Sequence, residues 1–92
     1  MKKQQKTARQ LERHFKGVAN HRRIDILMLV GKESGLTLEN IAKQLDCNFK
    51  TMSDHTRRLA HAGLINKTYR GTSVMHSLSP YGLIFYRFIK NF

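Results

Sequence analysis

Residues 38–64 read LENIAKQLDCNFKTMSDHTRRLAHAGL, and this stretch decides how the rest of the chain is interpreted. The pattern predicts a short helix, a tight turn and a longer helix. Thr37 and Asn48 precede the two helices, and the side-chain oxygen of each can accept a hydrogen bond from a free amide in the first turn. Helical spacing places four apolar residues on one face of the first helix: Leu38, Ile41, Ala42 and Leu45.

The second of these helices has two contrasting faces. One face is predicted to be buried and consists of Phe49, Met52, Thr56, Leu59, Ala60 and Gly63. The opposite face, called the basic stripe below, consists of Lys50, Asp54, Arg57, Arg58 and His61. This arrangement is typical of a helix-turn-helix whose second helix enters the major groove of DNA.

Two further helices are predicted before this segment. Gln4 to Phe15 has a basic, weakly apolar pattern, which predicts a first helix that ends at Gly17. Asn20 begins a second helix that runs to about Val30. This helix is apolar over more than half of its circumference, which predicts a central position in the core.

Beyond Gly63 the spacing of the apolar residues changes from that of a helix toward every second residue. Two short apolar runs flank the sequence RGTS at 70–73, which predicts a β-hairpin. Ser79 and Pro80 then begin a last helix, as the N-cap and the first helical residue. The predicted fold is mostly α with a small β-hairpin. It is a winged helix-turn-helix with about five helices and a two-stranded wing, in a single domain spanning residues 1–92.

The last helix carries more apolar surface than a terminal helix of a small domain easily buries within its own chain. A symmetric dimer contact is one explanation for this surface. The alternative is that the helix covers the core of the monomer. On the last helix, the predicted dimer interface consists of Tyr81, Ile84, Phe85, Phe88, Ile89 and Phe92. The first helix is expected to dock either on the rest of the fold or on a second copy, and in the second case it adds Leu11 and Phe15.

The composition favours a negatively charged partner. The 92 residues carry a formal net charge of +11, and no acidic side chain follows Asp54. Phosphate backbone is the commonest partner of such a surplus, although solubility alone is an alternative. The single cysteine excludes an internal disulfide and fits a reducing cytosol. No apolar run approaches membrane-spanning length, and the basic start is not followed by the apolar segment of a signal peptide, so a cytoplasmic protein is expected.

Two runs carry a family resemblance. VANHRRIDIL at 18–27 resembles the second-helix motif of the ArsR-type winged-helix repressors. MSDHTRRL at 52–59, with AGLI at 62–65, resembles their recognition helix and the step into the wing, and MarR-like regulators share parts of this set. The resemblance covers roughly Phe15 to Leu78. It implies a homodimer that binds operator DNA and pairs through its first and last helices.

Two residues depart from the family pattern. Thr56 stands where the family usually has leucine, and its hydroxyl is expected to bond to a carbonyl one turn earlier. Asp54 stands where a long polar or basic residue is common. Its carboxylate is expected to pair with Arg57 or Arg58, the alternative being a hydrogen bond from a cytosine amino group. The paired cysteines and the Asp-x-His motif of the family's metal sensors are absent from the sequence.

The candidate DNA-binding residues lie on the recognition helix and the wing. First-turn residues reach base edges, and longer basic residues reach phosphates. Lys67 and Arg70 are expected at or near the wing tip, and Arg22 and Arg23 either reach phosphates or are solvated. The predicted set is Lys50, Thr51, Ser53, Asp54, His55, Arg57, Arg58, Lys67 and Arg70, with a solvated polar face as the alternative.

Catalytic and metal-binding patterns are missing from the sequence. The carboxylates are scattered, and there is no glycine-rich phosphate loop. The five histidines form no pair at ligand spacing, and His76 is expected on a wing strand near the core. Cys47 lies near a helix start, where a thiol can be activated, so a redox or thiophilic-metal role is the alternative to an ordinary turn residue. No enzymatic activity, cofactor or metal is predicted.

The leading functional hypothesis is a sequence-specific regulator of transcription, a homodimeric repressor on a pseudo-palindromic site in double-stranded DNA. The competing hypothesis is a winged-helix interaction module within a larger transcription or replication assembly. In that case the basic face would meet an acidic protein or clamp nucleic acid without sequence preference. RNA binding is a third hypothesis. The lack of strands carrying several aromatic residues argues against a reader of single strands.

Overall fold

The computed structural model describes residues 5–92, and helices dominate this part of the chain. Five helices and three short strands form within these residues, which confirms the mostly helical winged helix-turn-helix. In chain order the elements are α1 (Ala8–Val18), α2 (His21–Lys32), β1 (Leu36–Thr37), α3 (Leu38–Gln44), α4 (Phe49–His61), β2 (Ile65–Arg70), β3 (Ser73–Leu78) and α5 (Pro80–Lys90).

The helix starts agree with the N-caps expected from the sequence. The side chain of Asn20 accepts hydrogen bonds from two amides at the start of α2. Thr37 caps α3, and the Oδ1 atom of Asn48 accepts a 2.7 Å hydrogen bond in the first turn of α4. Ser79 caps α5 with Pro80 in the first helical position. Each cap satisfies an amide that has no partner within its own helix.

The bounds of α1 differ from the prediction at both ends. The predicted start at Gln4 lies outside the described residues, and α1 begins at Ala8. Thr7 caps it in a capping box, accepting from the amide of Gln10 while its own amide donates to the Gln10 side chain. The prediction that Gly17 ends the helix is wrong. Gly17 lies inside α1 and allows close packing there, since a Cβ at this position would overlap the Cβ of Ala62.

The helix α2 also runs past its predicted end, to Lys32 instead of Val30. It continues through Gly31, where a Cβ would overlap the ring of Tyr86 on α5. This glycine therefore provides room for an aromatic side chain against the helix and does not break it.

The sheet has one strand more than was expected. β3 lies between β1 and β2, and both pairings are antiparallel. In the wing, β2 and β3 pair from Ile65 opposite Leu78 to Arg70 opposite Ser73. The predicted hairpin turn is confirmed: Gly71 occupies it with φ of +58°, a conformation that glycine adopts without a Cβ penalty. The two-residue strand β1 was missed because it is too short to show a period.

The core is built around α2, as its apolar circumference indicated. Ile26, Leu27 and Val30 of this helix are buried, and α4 contributes Met52 and Leu59. Thr56 is fully buried on the same face of α4, and its hydroxyl donates a 3.0 Å hydrogen bond to the carbonyl oxygen of Ser53. This confirms the expected local bond. A buried hydroxyl without a hydrogen bond would destabilise the protein, and this bond supplies the partner.

The buried face of α4 is narrower than predicted, and Phe49 is not part of it. The side chain of Phe49 is 54% exposed. With 3.6 residues per turn, Phe49 lies about 60° around the helix from Met52, on the flank toward the wing. Ala60 and Gly63 are half-buried rather than central to the core. Burial is therefore concentrated on Met52, Thr56 and Leu59.

Candidate nucleic-acid interface

The helix α4 presents its basic stripe to solvent. All five residues of the stripe are exposed, whereas Thr51, Ser53 and His55 are half-buried on its flanks. The exposed stripe lies opposite the buried face formed by Met52, Thr56 and Leu59. Because the buried side fixes the rotation of α4 in the protein, it also fixes which side chains a partner can reach.

Asp54 is neutralised within the basic stripe. Its carboxylate lies 3.1 Å from the Nη2 atom of Arg57, one turn later on the helix. This confirms the expected pairing and selects Arg57 over Arg58. Both side chains are more than half exposed, so the pair contributes little to stability. It does reduce the repulsion that a carboxylate on this face would exert on a phosphate.

His55 is held against α2. Its Nδ1 atom lies 3.3 Å from the Nη1 atom of Arg23, whose Nε atom donates a 2.7 Å hydrogen bond to the carbonyl oxygen of Gly17. Burial, together with the nearby Arg23 and Arg58, lowers the pKa of His55. A neutral His55 can accept from Arg23, so this side chain is engaged within the protein. The bond to Gly17 shows that Arg23 is not simply solvated, and its expected contact with phosphate stays a prediction.

The wing places its two basic residues differently. Arg70 is exposed and stands next to the turn, as predicted. Lys67 is not at the tip: it is half-buried and pairs with His76 in the middle of the hairpin. The register explains this, since three residue pairs separate Lys67 from the turn.

A groove of about 420 Å³ separates the wing from the start of α4. Ser53, Phe49 and Lys67 line it, and so does Tyr69, whose side chain is 72% exposed. Tyr69 belongs to one of the two apolar runs that predicted the hairpin, and it is not among the DNA-binding residues predicted from the sequence. Its position immediately before Arg70 was the available signal.

The apolar residues of α1 and α5 lie beside each other. The rings of Phe15 and Phe85 meet edge to face with centroids 5.1 Å apart. Phe85 and Ile89 are half-buried and pack against the core, so this part of α5 covers its own chain, as the alternative interpretation had it. The other six residues of the predicted dimer set are exposed: Leu11, Phe15, Tyr81, Ile84, Phe88 and Phe92.

Cys47 and His76 are both engaged with the interior. Cys47 is half-buried in the turn before α4 and packs against the core. His76 is buried on β3, as expected, and hydrogen-bonds to the backbone of β1. Among residues 5–92, no group of three or more histidine, cysteine or acidic side chains is placed to hold a metal ion. Over the same residues, no helix is long and apolar enough to cross a membrane.

Solved structures share this arrangement. No family model and no curated protein matches the chain. HlyU from Vibrio cholerae superposes with a TM-score of 0.84 at 21% identity, over 96% of this chain and 96% of its own. The homodimeric winged helix-turn-helix DNA-binding domain Mb0332 from Mycobacterium bovis, a possible ArsR-family regulator, gives a TM-score of 0.81 at 25% identity, over 90% and 77%.

A third structure was determined with nucleic acid. FabT from Streptococcus pneumoniae in complex with DNA gives a TM-score of 0.73 at 16% identity, over 88% of this chain and 63% of its own. The chain therefore has the winged helix-turn-helix fold of these regulators, and the resemblance to ArsR-type proteins is confirmed at the level of the fold.

Proposed function

We propose that this chain is a sequence-specific regulator of transcription that binds double-stranded DNA in the cytoplasm as a homodimeric repressor. The observation that carries this proposal is the exposure of the whole basic stripe on a helix whose opposite side is locked in the core. A rigid helix of this kind is what the major groove accepts. The winged-helix neighbours, one a homodimer and one determined with DNA, support the same conclusion.

The proposed reading surface is the exposed side of α4 with its two flanks, and the wing is proposed to hold the backbone. A protein that neutralises phosphates releases counterions, so affinity depends steeply on salt. The proposed dimer contact is the exposed part of α1 and α5. In a two-fold dimer the two recognition helices would meet half-sites about 34 Å apart, one turn of the double helix.

Selection of duplexes from a random pool, followed by anisotropy titrations at several salt concentrations, tests the proposal. We expect enrichment of one pseudo-palindromic sequence and a log–log salt slope of about −0.9 per phosphate neutralised. Binding of all duplexes alike would favour a non-specific clamp. A slope near zero would contradict DNA binding altogether.

A further inference from the structure

A second cluster of positive charge lies beside the recognition helix, where the end of α1, the start of α2 and the last turns of α4 meet. A concave cleft of about 280 Å³ opens there, called the cationic cleft below. Among residues 5–92, no acidic side chain lines the cleft. Its lining consists of Gly17, Ala62 and five basic residues: Arg13, Lys16, Arg23, Arg58 and His61. Only Arg58 of these five belongs to the DNA-binding set predicted from the sequence.

Two of the arginines are fixed in place by the backbone. The Nε atom of Arg23 donates to the carbonyl oxygen of Gly17 at 2.7 Å, near the end of α1. The Nη2 atom of Arg13 donates to the carbonyl oxygen of His61, at the end of α4. Cations at the C-terminal ends of helices are favourable, so these bonds also have a structural purpose. Each bond leaves other N–H groups of the guanidinium available, because each guanidinium has five donors.

Arg58 has no such structural purpose. It is exposed, and none of the side-chain hydrogen bonds within residues 5–92 involves its guanidinium. Burial lowers the pKa of Arg23, and the nearby charge of Arg58 lowers it further, because two like charges at close range repel each other. Two carboxylates are close by: Glu12 lies 3.6 Å from Lys16 of the cleft in an exposed pair, and Asp54 pairs with Arg57, outside the cleft. An anion in the cleft would relieve this repulsion.

We propose that the cationic cleft binds a phosphate group, and that in the DNA complex this phosphate belongs to the backbone beside the C-terminal half of α4. This inference rests on the proposed function. Arg58 and His61 belong to both the cleft and the basic stripe, so the cleft continues the surface that α4 presents to DNA. Guanidinium groups held in fixed orientation match the geometry of phosphate oxygens.

The cleft would give the protein a backbone contact on the side of α4 opposite the wing. The groove next to the wing is bordered by Phe49 and Ser53, whereas the cleft is bordered by Arg58 and His61. Backbone contacts on both flanks would fix the orientation of the recognition helix in the groove without reading sequence themselves.

The test compares Lys16→Gln, Arg58→Gln and the double variant, with Lys32→Gln as the control of equal charge. Lys32 is exposed at the far end of α2, about 13.5 Å along the helix from Arg23. The probe is the duplex of highest affinity selected from the random pool. We expect the double variant to make the salt slope shallower by about 0.9 in total, because both side chains hold one phosphate. The control should keep the wild-type slope.

Inorganic phosphate serves as the probe for a free ligand. At equal ionic strength, replacing chloride by phosphate should raise the unfolding midpoint of the wild type and of Lys32→Gln by more than that of Arg58→Gln. If only this response is found, the cleft is a phosphate site and its ligand is free in solution. The phosphate experiment tests the cleft even if the wild type binds no duplex. A failure of the proposed DNA binding can therefore be distinguished from a failure of the cleft to bind phosphate.

Two results would overturn the inference. One is that the cleft variants match Lys32→Gln in both the salt slope and the response to phosphate. The other is a loss of about 1.8 in slope for the double variant without a response to phosphate, since that would mean two separate backbone contacts and no shared site.

Discussion

The Nδ1 atom of His76 lies 2.9 Å from the carbonyl oxygen of Leu36, and this hydrogen bond joins β3 of the wing to β1. A carbonyl oxygen only accepts, so Nδ1 carries the proton and donates. Burial lowers the pKa of His76, the charge of Lys67 lowers it further, and the bond to Leu36 opposes both effects. The folded protein therefore favours the neutral imidazole.

This relationship predicts a loss of stability in acid. Because the folded-state pKa of His76 lies below its ordinary value of about 6.5, the unfolded chain binds the proton more tightly. The stabilisation is complete above pH 6.5 and is lost as the pH falls through the folded pKa. One proton changes the free energy of unfolding by at most about 1.4 kcal/mol per pH unit. Urea titrations between pH 7.5 and 4.5 measure this slope.

The matched variants are His76→Gln and His21→Gln, since His21 is an exposed histidine at the start of α2. His55 also has a lowered pKa and should retain its own share of the pH dependence in both variants. We expect the free energy of unfolding to depend less steeply on pH in His76→Gln, but not in His21→Gln. If the wild type and His76→Gln lost stability in parallel as the pH falls, the loss would not come from His76.

Gly31 and Tyr86 form a second testable pair. A Cβ at Gly31 would overlap the ring of Tyr86, so Gly31→Ala should destabilise the protein by about 1–3 kcal/mol, as overpacking does. In a Tyr86→Ala background the obstacle is gone. The same change should then stabilise the protein by about 1 kcal/mol, because alanine is the better helix former. Chemical unfolding of the four proteins tests this reversal of sign, and equal effects in the two backgrounds would contradict it.

The exposure of Phe49 leads to a third prediction. Met52→Ala should cost about 2–5 kcal/mol, because Met52 is fully buried. Phe49→Ala should cost less than about 1 kcal/mol although it removes more atoms, because Phe49 is 54% exposed. Thermal or chemical unfolding of the two variants compares them directly. A larger loss for Phe49→Ala would mean that Phe49 belongs to the core after all.

Local features of this fold could be predicted from the sequence, and non-local ones could not. The caps Asn20, Thr37, Asn48 and Ser79 bond to amides within three residues, so the sequence alone identifies them. The two-residue strand β1 depends on pairing with β3, about 40 residues away.

The glycines illustrate the same limit. Gly17 was predicted to end α1, and α2 was predicted to end at about Val30, just before Gly31, yet both glycines lie within their helices and a distant side chain packs against each. Those side chains are Ala62 and Tyr86, more than 40 residues along the chain. Helix ends predicted from glycine alone are wrong wherever a glycine serves close packing instead.

The candidate site shows the same division. The pairing of Asp54 with Arg57 spans three residues, and a pair with Arg57 or Arg58 was expected because a lone carboxylate is unfavourable near phosphates. The contact between Arg23 and His55 spans 32 residues, and the bond from Arg13 to the end of α4 spans 48. The cationic cleft is made of such long-range contacts, so only the folded chain reveals it.

The proposed dimer contact predicts the effect of a charge on α5. Phe88 is 61% exposed, so Phe88→Asp should leave the fold intact while placing a carboxylate in an apolar interface. An unpaired buried charge costs several kcal/mol, roughly what a small interface supplies. Sedimentation velocity should show a dimer for the wild type and a monomer for Phe88→Asp.

The control is Tyr69→Asp, because Tyr69 is an exposed aromatic residue on the wing, outside α1 and α5. It should remain a dimer. A wild type that stays monomeric at high concentration would refute the proposed assembly.

The last prediction separates base reading from backbone holding. Thr51 and Asp54 lie in the first turns of α4, where short side chains can reach base edges, and Arg70 stands beside the wing turn. A good base contact discriminates by about 1–3 kcal/mol, whereas a phosphate contact carries no sequence information directly. Thr51→Ala or Asp54→Ala should therefore change the ranking of single-base operator variants at fixed salt. Arg70→Ala should weaken all duplexes alike and make the salt slope shallower by about one unit. If Arg70→Ala changed the ranking while the α4 variants preserved it, the wing would be the reading surface, and the proposed role of α4 would be wrong.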